Sequence, residues 1–233
     1  MATITENLQA VRAQLNEARG RAGHAPGVTL LAVSKGHGAD RIREAVAAGQ
    51  KAFGESYVQE AVEKMQTLPP LEWHLIGPLQ SNKTRIAAER FDWVQTIASG
   101  KIARRLSEQR PAHLPPLNVL IQVNVSGEAT KSGVELNEAE DMARAISSLP
   151  KIRLRGLMAI PEPGADRSRY RAVKDLFEKL KGEFAFDTLS MGMSDDLDVA
   201  LAEGATMVRI GTAIFGPREE GKKVSAPRPP VPV

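Results

Sequence analysis

Apolar, strand-like segments alternate with amphipathic helical segments eight times along the 233 residues of this chain. No other feature restricts the fold as much. Strands are expected at 28–35, 51–55, 72–77, 93–98, 118–125, 153–160, 188–192 and 207–215, with NVLIQVNV at 118–125 the plainest of them. Helical patterns at 39–48, 57–66, 82–90, 101–109, 137–147, 168–181 and 195–203 fill the intervals. An additional N-terminal helix repeats Leu8, Val11, Leu15 and Ala18 at three- and four-residue spacing. Alternation of this kind implies a parallel sheet with helical crossovers. Eight units in about 215 residues suit a closed (β/α)8 TIM barrel carrying one extra N-terminal helix. An open doubly wound sheet would show the same alternation and is the competing α/β architecture.

Composition narrows the chemistry. With no cysteine, the chain has no disulfide scaffold, thiolate metal site or cysteine nucleophile. It contains no apolar run of ~18 residues, so no membrane span is expected, and the charged N-terminus does not look like a leader. A cytoplasmic protein is the expected setting. The formal charge of +3 invites a nucleic-acid reading. Two of those three charges, however, lie in residues 217–233, where Arg218, Lys222, Lys223 and Arg228 face Glu219 and Glu220. Five of the 15 prolines also fall there, so 217–233 is expected to be a flexible tail behind a single barrel domain at 1–216. The rest of the chain is nearly neutral, and 4% aromatic residues leave little for base stacking.

In a barrel, chemistry gathers where strands end. Lys35 alternates with Leu31 and Val33 and should share their side. Facing inward, it would stand at the mouth of an apolar tube, where desolvation favours the neutral, nucleophilic amine; otherwise it marks the solvent boundary. Ser190-Met-Gly-Met-Ser194 precedes a helix with Ser194 at the N-cap. It serves either simple capping or an anion site, and in the second case Asp195 and Asp196 must point away. Arg209 interrupts an apolar strand, with Gly211 and Thr212 just beyond it. It pairs with a buried carboxylate or belongs to a phosphate-type site on strands seven and eight. His74, beside Trp73, is either a packed core residue or a functional one. Gly36-His37-Gly38 begins a dinucleotide fingerprint, but Arg41 occupies the third glycine position, and the dispersed His24, His37, His74 and His113 offer no metal spacing.

A nucleophilic lysine after strand one with phosphate elements on strands seven and eight suggests pyridoxal 5′-phosphate (PLP). Further segments extend the likeness: LLAVSK (30–35), FGESYVQEA (53–61), EWHLIGPLQSNK (72–83), VNVSGEATKSG (123–133), LRGLMAIPEP (154–163) and LSMGMSDDLDVALAEGATMVRIGTAIFG (189–216). Together they resemble the pyridoxal phosphate homeostasis protein family, single-domain relatives of the alanine racemase N-terminal barrel. The resemblance implies a Schiff-base role for Lys35. It places Ser194, Gly211 and Thr212 around the phosphate with Ser190 as a lesser contact, Arg209 at the pyridine nitrogen, and Ser56 and His74 near the cofactor. The family's Gly-Glu-Asn-Tyr here reads Gly54-Glu55-Ser56-Tyr57, so a shorter side chain stands where an asparagine is usual. An arginine at the ring nitrogen weakens PLP as an electron sink. The second domain from which racemases take their opposing acid–base group is not expected after strand eight. A monomeric, non-catalytic carrier or buffer of PLP is therefore expected, with apo-enzymes that need PLP as recipients and no nucleic-acid or membrane partner. A weak PLP-dependent racemase, or a sugar-phosphate barrel enzyme using Lys35 without PLP, are the alternatives.

Overall fold

Eight parallel strands close on themselves in sequence order. The computed structural model describes residues 2–23, 27–127 and 132–217. Its strands are β1 (Thr29–Val33), β2 (Ala52–Glu55), β3 (Glu72–Leu75), β4 (Trp93–Ile97), β5 (Leu117–Val123), β6 (Ile152–Ala159), β7 (Thr188–Ser190) and β8 (Met207–Ile210). The pairing of β1 with β8, from Thr29 opposite Met207 to Ala32 opposite Ile210, seals the ring and excludes the open sheet. The expected tail lies, from residue 218, outside the described residues.

Seven helices connect successive strands: α2 (Ala39–Ala47), α3 (Val58–Met65), α4 (Thr84–Arg90), α5 (Gly100–Gln109), α6 (Ala139–Ser147), α7 (Arg167–Phe184) and α8 (Leu197–Ala202). Each buries one apolar stripe on the outside of the sheet, as with Ile42 and Ala45 of α2 or Val173, Phe177 and Leu180 of α7. Helix α1 (Ile4–Ala22) starts at a capping box in which Thr3 and Glu6 each bond the other's backbone N–H. It buries Ile4, Leu8, Val11, Leu15 and Ala18 against α2, α8 and a last short helix, α9 (Thr212–Phe215). One turn of α9 is too short to cover the β8–β1 seam, and α1 supplies the missing cover.

The expected strand at 207–215 is corrected by this geometry. Strand β8 stops at Ile210, and Ile214 and Phe215 donate their N–H groups to Gly211 O, making the segment helical. A Cβ on Gly211 would stand 3.2 Å from Val33 O, so the chain leaves the sheet at a point where it grazes β1.

Most of the apolar core lies between sheet and helices. Inside the barrel two smaller clusters form, Leu31–Ala52–Met207 and Trp93–Leu120–Met158. His74, Gln95 and Ser190 are also fully buried. The tube is therefore not apolar, as the sequence had suggested, because its axis carries a line of polar side chains.

Candidate functional site

Strands β1, β7 and β8 are neighbours, so Lys35, the 190–194 turn and the 209–212 segment meet at one sector of the barrel's C-terminal end. Lys35 follows β1 in a turn and is half-buried. Its neighbour across the seam is the β8–α9 corner, where Gly211 lies against Val33 and Thr212 is exposed. Ser56, half-buried after β2, has its carbonyl so near Gly77 that a Cβ there would meet it at 2.0 Å. Tyr57, Ile160 and Met193 keep 37–40% of their surface exposed, and each follows the C-terminal end of β2, β6 or β7. Across the same end, Ile76, Thr96, Gln122, Asn124, Ile160 and Glu162 contribute to a cavity of about 300 Å³.

Arg209 is 4% exposed and donates Nη1–H to Ser190 Oγ (2.8 Å) and Nη2–H to Ala159 O (2.9 Å). Both acceptors are neutral. The expected alternative of a carboxylate partner is not what holds it. Burial pulls its pKa down to about 10, against the opposing charge of Asp196.

A hydrogen-bonded line continues from Arg209 through the barrel. A guanidinium can only donate, so Ser190 Oγ accepts from it and sends its own proton to Gln95 Oε1 at 2.7 Å. Gln95 Nε2 then donates to His74 Nδ1 (2.9 Å) and Met207 Sδ (3.1 Å). That leaves the proton of His74 on Nε2, from which it donates to Glu72 at 2.7 Å. Burial lowers the His74 pKa, in keeping with a neutral ring, and that ring stacks on Trp93 at 5.0 Å. Glu72 lines a cavity of about 480 Å³ at the N-terminal face. His74 thus lies in the axial line, three hydrogen bonds from Arg209, rather than at the rim.

The 190–194 turn departs from expectation at its helix cap. Helix α8 is preceded by Asp196 at the cap position, while Ser194 is exposed one turn-corner earlier. Asp196 is tied down on both of its carboxylate oxygens. One carboxylate oxygen accepts from Met193 N–H, and the other accepts from Tyr170 Oη at 2.6 Å. Gly192, at φ +100°, occupies space that a Cβ could not, since it would fall 2.6 Å from Ala200 Cβ.

Several polar residues near the site escaped sequence reasoning. Gln95 alternates with the inward Trp93 on β4, a signal that strand periodicity could have given. Glu55, Glu60 and Lys64 form a buried cluster beside β1; the first two lie within FGESYVQEA, but nothing in that segment marks Lys64 as their partner. Burial pushes the Glu55 carboxyl up to about 7, and Glu60 reinforces this while Lys64 opposes it. Among the described residues, no group of three or more His, Asp or Glu is placed to hold a metal, and no helix is long and apolar enough to cross a membrane.

Comparison with known proteins gives a consistent set of relatives. The model of the alanine racemase N-terminal domain matches residues 7–219. A pyridoxal phosphate homeostasis protein of Pseudomonas aeruginosa is 55% identical, with 97% of this chain and all of that protein covered. The protein of the same name from Escherichia coli K12 is 53% identical, over 96% of this chain and all of its own length. Among solved structures, PipY of Synechococcus elongatus with PLP bound superposes with a TM-score of 0.80 at 37% identity, covering 92% of this chain and all of PipY.

Proposed function

Because this chain belongs to the pyridoxal phosphate homeostasis proteins, within the alanine racemase N-terminal domain family, we propose that it binds PLP and serves PLP homeostasis. Amino- and keto-acid balance would follow indirectly. When bound, PLP supplies an aldehyde that condenses with a lysine amine, releasing water, to give a Schiff base; we assign that amine to Lys35. The observation that carries the assignment is the buried Arg209 cation, held among the described residues by a hydroxyl and a carbonyl, on the strand hydrogen-bonded to β1, which leads into the turn that carries Lys35. A cation without a carboxylate partner suits a ring nitrogen that accepts a hydrogen bond and stays unprotonated.

Ser194, Gly211 and Thr212 lie where the ends of β7 and β8 would receive the phosphate, and Ser56 stands at the neighbouring β2 end. Ser190 and His74 act on the cofactor through Arg209. A ring nitrogen facing Arg209 disfavours proton abstraction from a bound amino acid. We therefore assign a carrier or buffer role, in which a monomer yields PLP to amines and to apo-enzymes, with no sustained catalysis. Titrating the protein with PLP should produce a near-visible absorption band. Lys35→Ala should abolish it, and Arg209→Ala should shift it or weaken retention about tenfold or more, since one charge-assisted contact is worth ~1.5–3 kcal/mol. A band that survives Lys35→Ala overturns the assignment. Steady exchange of Cα hydrogen for deuterium across a panel of amino acids would overturn the carrier reading.

A further inference from the structure

The buried cluster beside β1 ties down both neighbours of Lys35. Lys64 on α3 is 7% exposed, and its ammonium donates to three acceptors: Ser34 O (2.8 Å), Glu55 Oε1 (2.6 Å) and Glu60 Oε1 (2.7 Å). Ser34 Oγ donates to the same Glu55 oxygen at 2.6 Å. On the other side of Lys35, Gly36 N–H donates to Glu60 Oε1 at 2.6 Å. Residues 34–37 form a tight turn in which His37 N–H donates to Ser34 O at 3.1 Å. Gly36 is its third residue, at φ +76°, which a type II turn requires and a side chain resists. Lys35 is the second residue of this turn, so the turn sets the direction in which its side chain leaves the backbone.

Burying an ammonium with two carboxylates is seldom a route to stability, because desolvation offsets most of the attraction. An apolar contact between α3 and the sheet would serve packing as well. What the charges add is two directional bonds to the peptide groups on either side of residue 35, at Ser34 O and Gly36 N–H, and a third to the Ser34 hydroxyl. We propose that Lys64, Glu55 and Glu60 are positioning residues for Lys35: they hold the 34–37 turn and so aim its amine at the ligand carbonyl. Lys64 is the hub, and Glu60 is the arm that reaches beyond Lys35 to Gly36.

This rests on the assignment of Lys35 as the PLP-bearing residue, and the test separates the two. Glu60→Ala removes the acceptor of Gly36 N–H, whereas Glu60→Gln keeps an oxygen there. In the apo protein, amide exchange at Gly36 should quicken at least tenfold in Glu60→Ala and stay near the parent in Glu60→Gln. With PLP added, band formation and borohydride trapping on Lys35 should slow about tenfold in Glu60→Ala and recover to within threefold in Glu60→Gln. A packing role alone would lower the melting temperature of both variants without this split. If the parent takes up no PLP on Lys35, the functional assignment fails and this role fails with it. If the parent binds and Glu60→Ala matches it in exchange and trapping, the positioning role alone is overturned.

Discussion

Replacing Gln95 with leucine tests whether the axial line of hydrogen bonds holds the barrel interior together. Gln95 is fully buried and satisfies two neighbours at once, accepting from Ser190 Oγ and donating to His74 Nδ1. In Gln95→Leu the Ser190 hydroxyl loses its acceptor, and His74 Nδ1 loses its donor. Each orphaned buried group costs about 1–3 kcal/mol. Leucine returns part of that by burying apolar surface, leaving a net loss of roughly 2–4 kcal/mol. Urea unfolding of the apo protein should show this as a lower midpoint at unchanged slope. Ser190→Ala supplies the control, since it also breaks the Ser190–Gln95 link. The double variant should then lose about 1–2 kcal/mol less than the two single losses added together, because the shared bond is removed only once. Strict additivity, or a Gln95→Leu loss below about 0.5 kcal/mol, would mean that the line is a coincidence of spacing.

Glu55 should leave a mark on stability against pH. Its folded pKa, raised from 4.5 to about 7 by burial, means that the folded state holds a proton the unfolded state has released, so stability falls as pH climbs through that window and levels off above it. The whole drop is up to roughly 3 kcal/mol. Glu55→Gln, which keeps an acceptor for Ser34 and Lys64, should flatten the parent's decline between pH 5 and 8, and parallel curves for parent and variant would contradict the assignment. Gly192→Ala forces a side chain onto φ +100° and against Ala200, so urea unfolding should register a loss of about 1–3 kcal/mol, with PLP retention weakened through the 190–194 turn. An alanine variant as stable as the parent would show that the turn has slack.

The barrel was legible because strand and helix periods are local properties, and eight alternations leave few ways to close. Lys35, Ser190 and Arg209 were legible for a related reason: each is a polar residue in or at the end of an apolar strand, where burial demands a partner. Residues 211–215 were misjudged because Gly-Thr-Ala-Ile-Phe has a strand's composition, while its path is set by the close approach of Gly211 to Val33, across nearly the whole chain. Asp196 was read only as a charge to be kept from an anion, and its two donors, Tyr170 on α7 and the Met193 amide, depend on tertiary placement. Lys64 is the clearest case. On a helical wheel it is an ordinary solvated lysine four residues from Glu60, and only Glu55 and Ser34 O beneath it make burial tolerable. Periodicity can say which face of an element is buried. It cannot say that a charged residue on that face has three acceptors waiting, and those acceptors are what could turn a surface lysine into a support for Lys35.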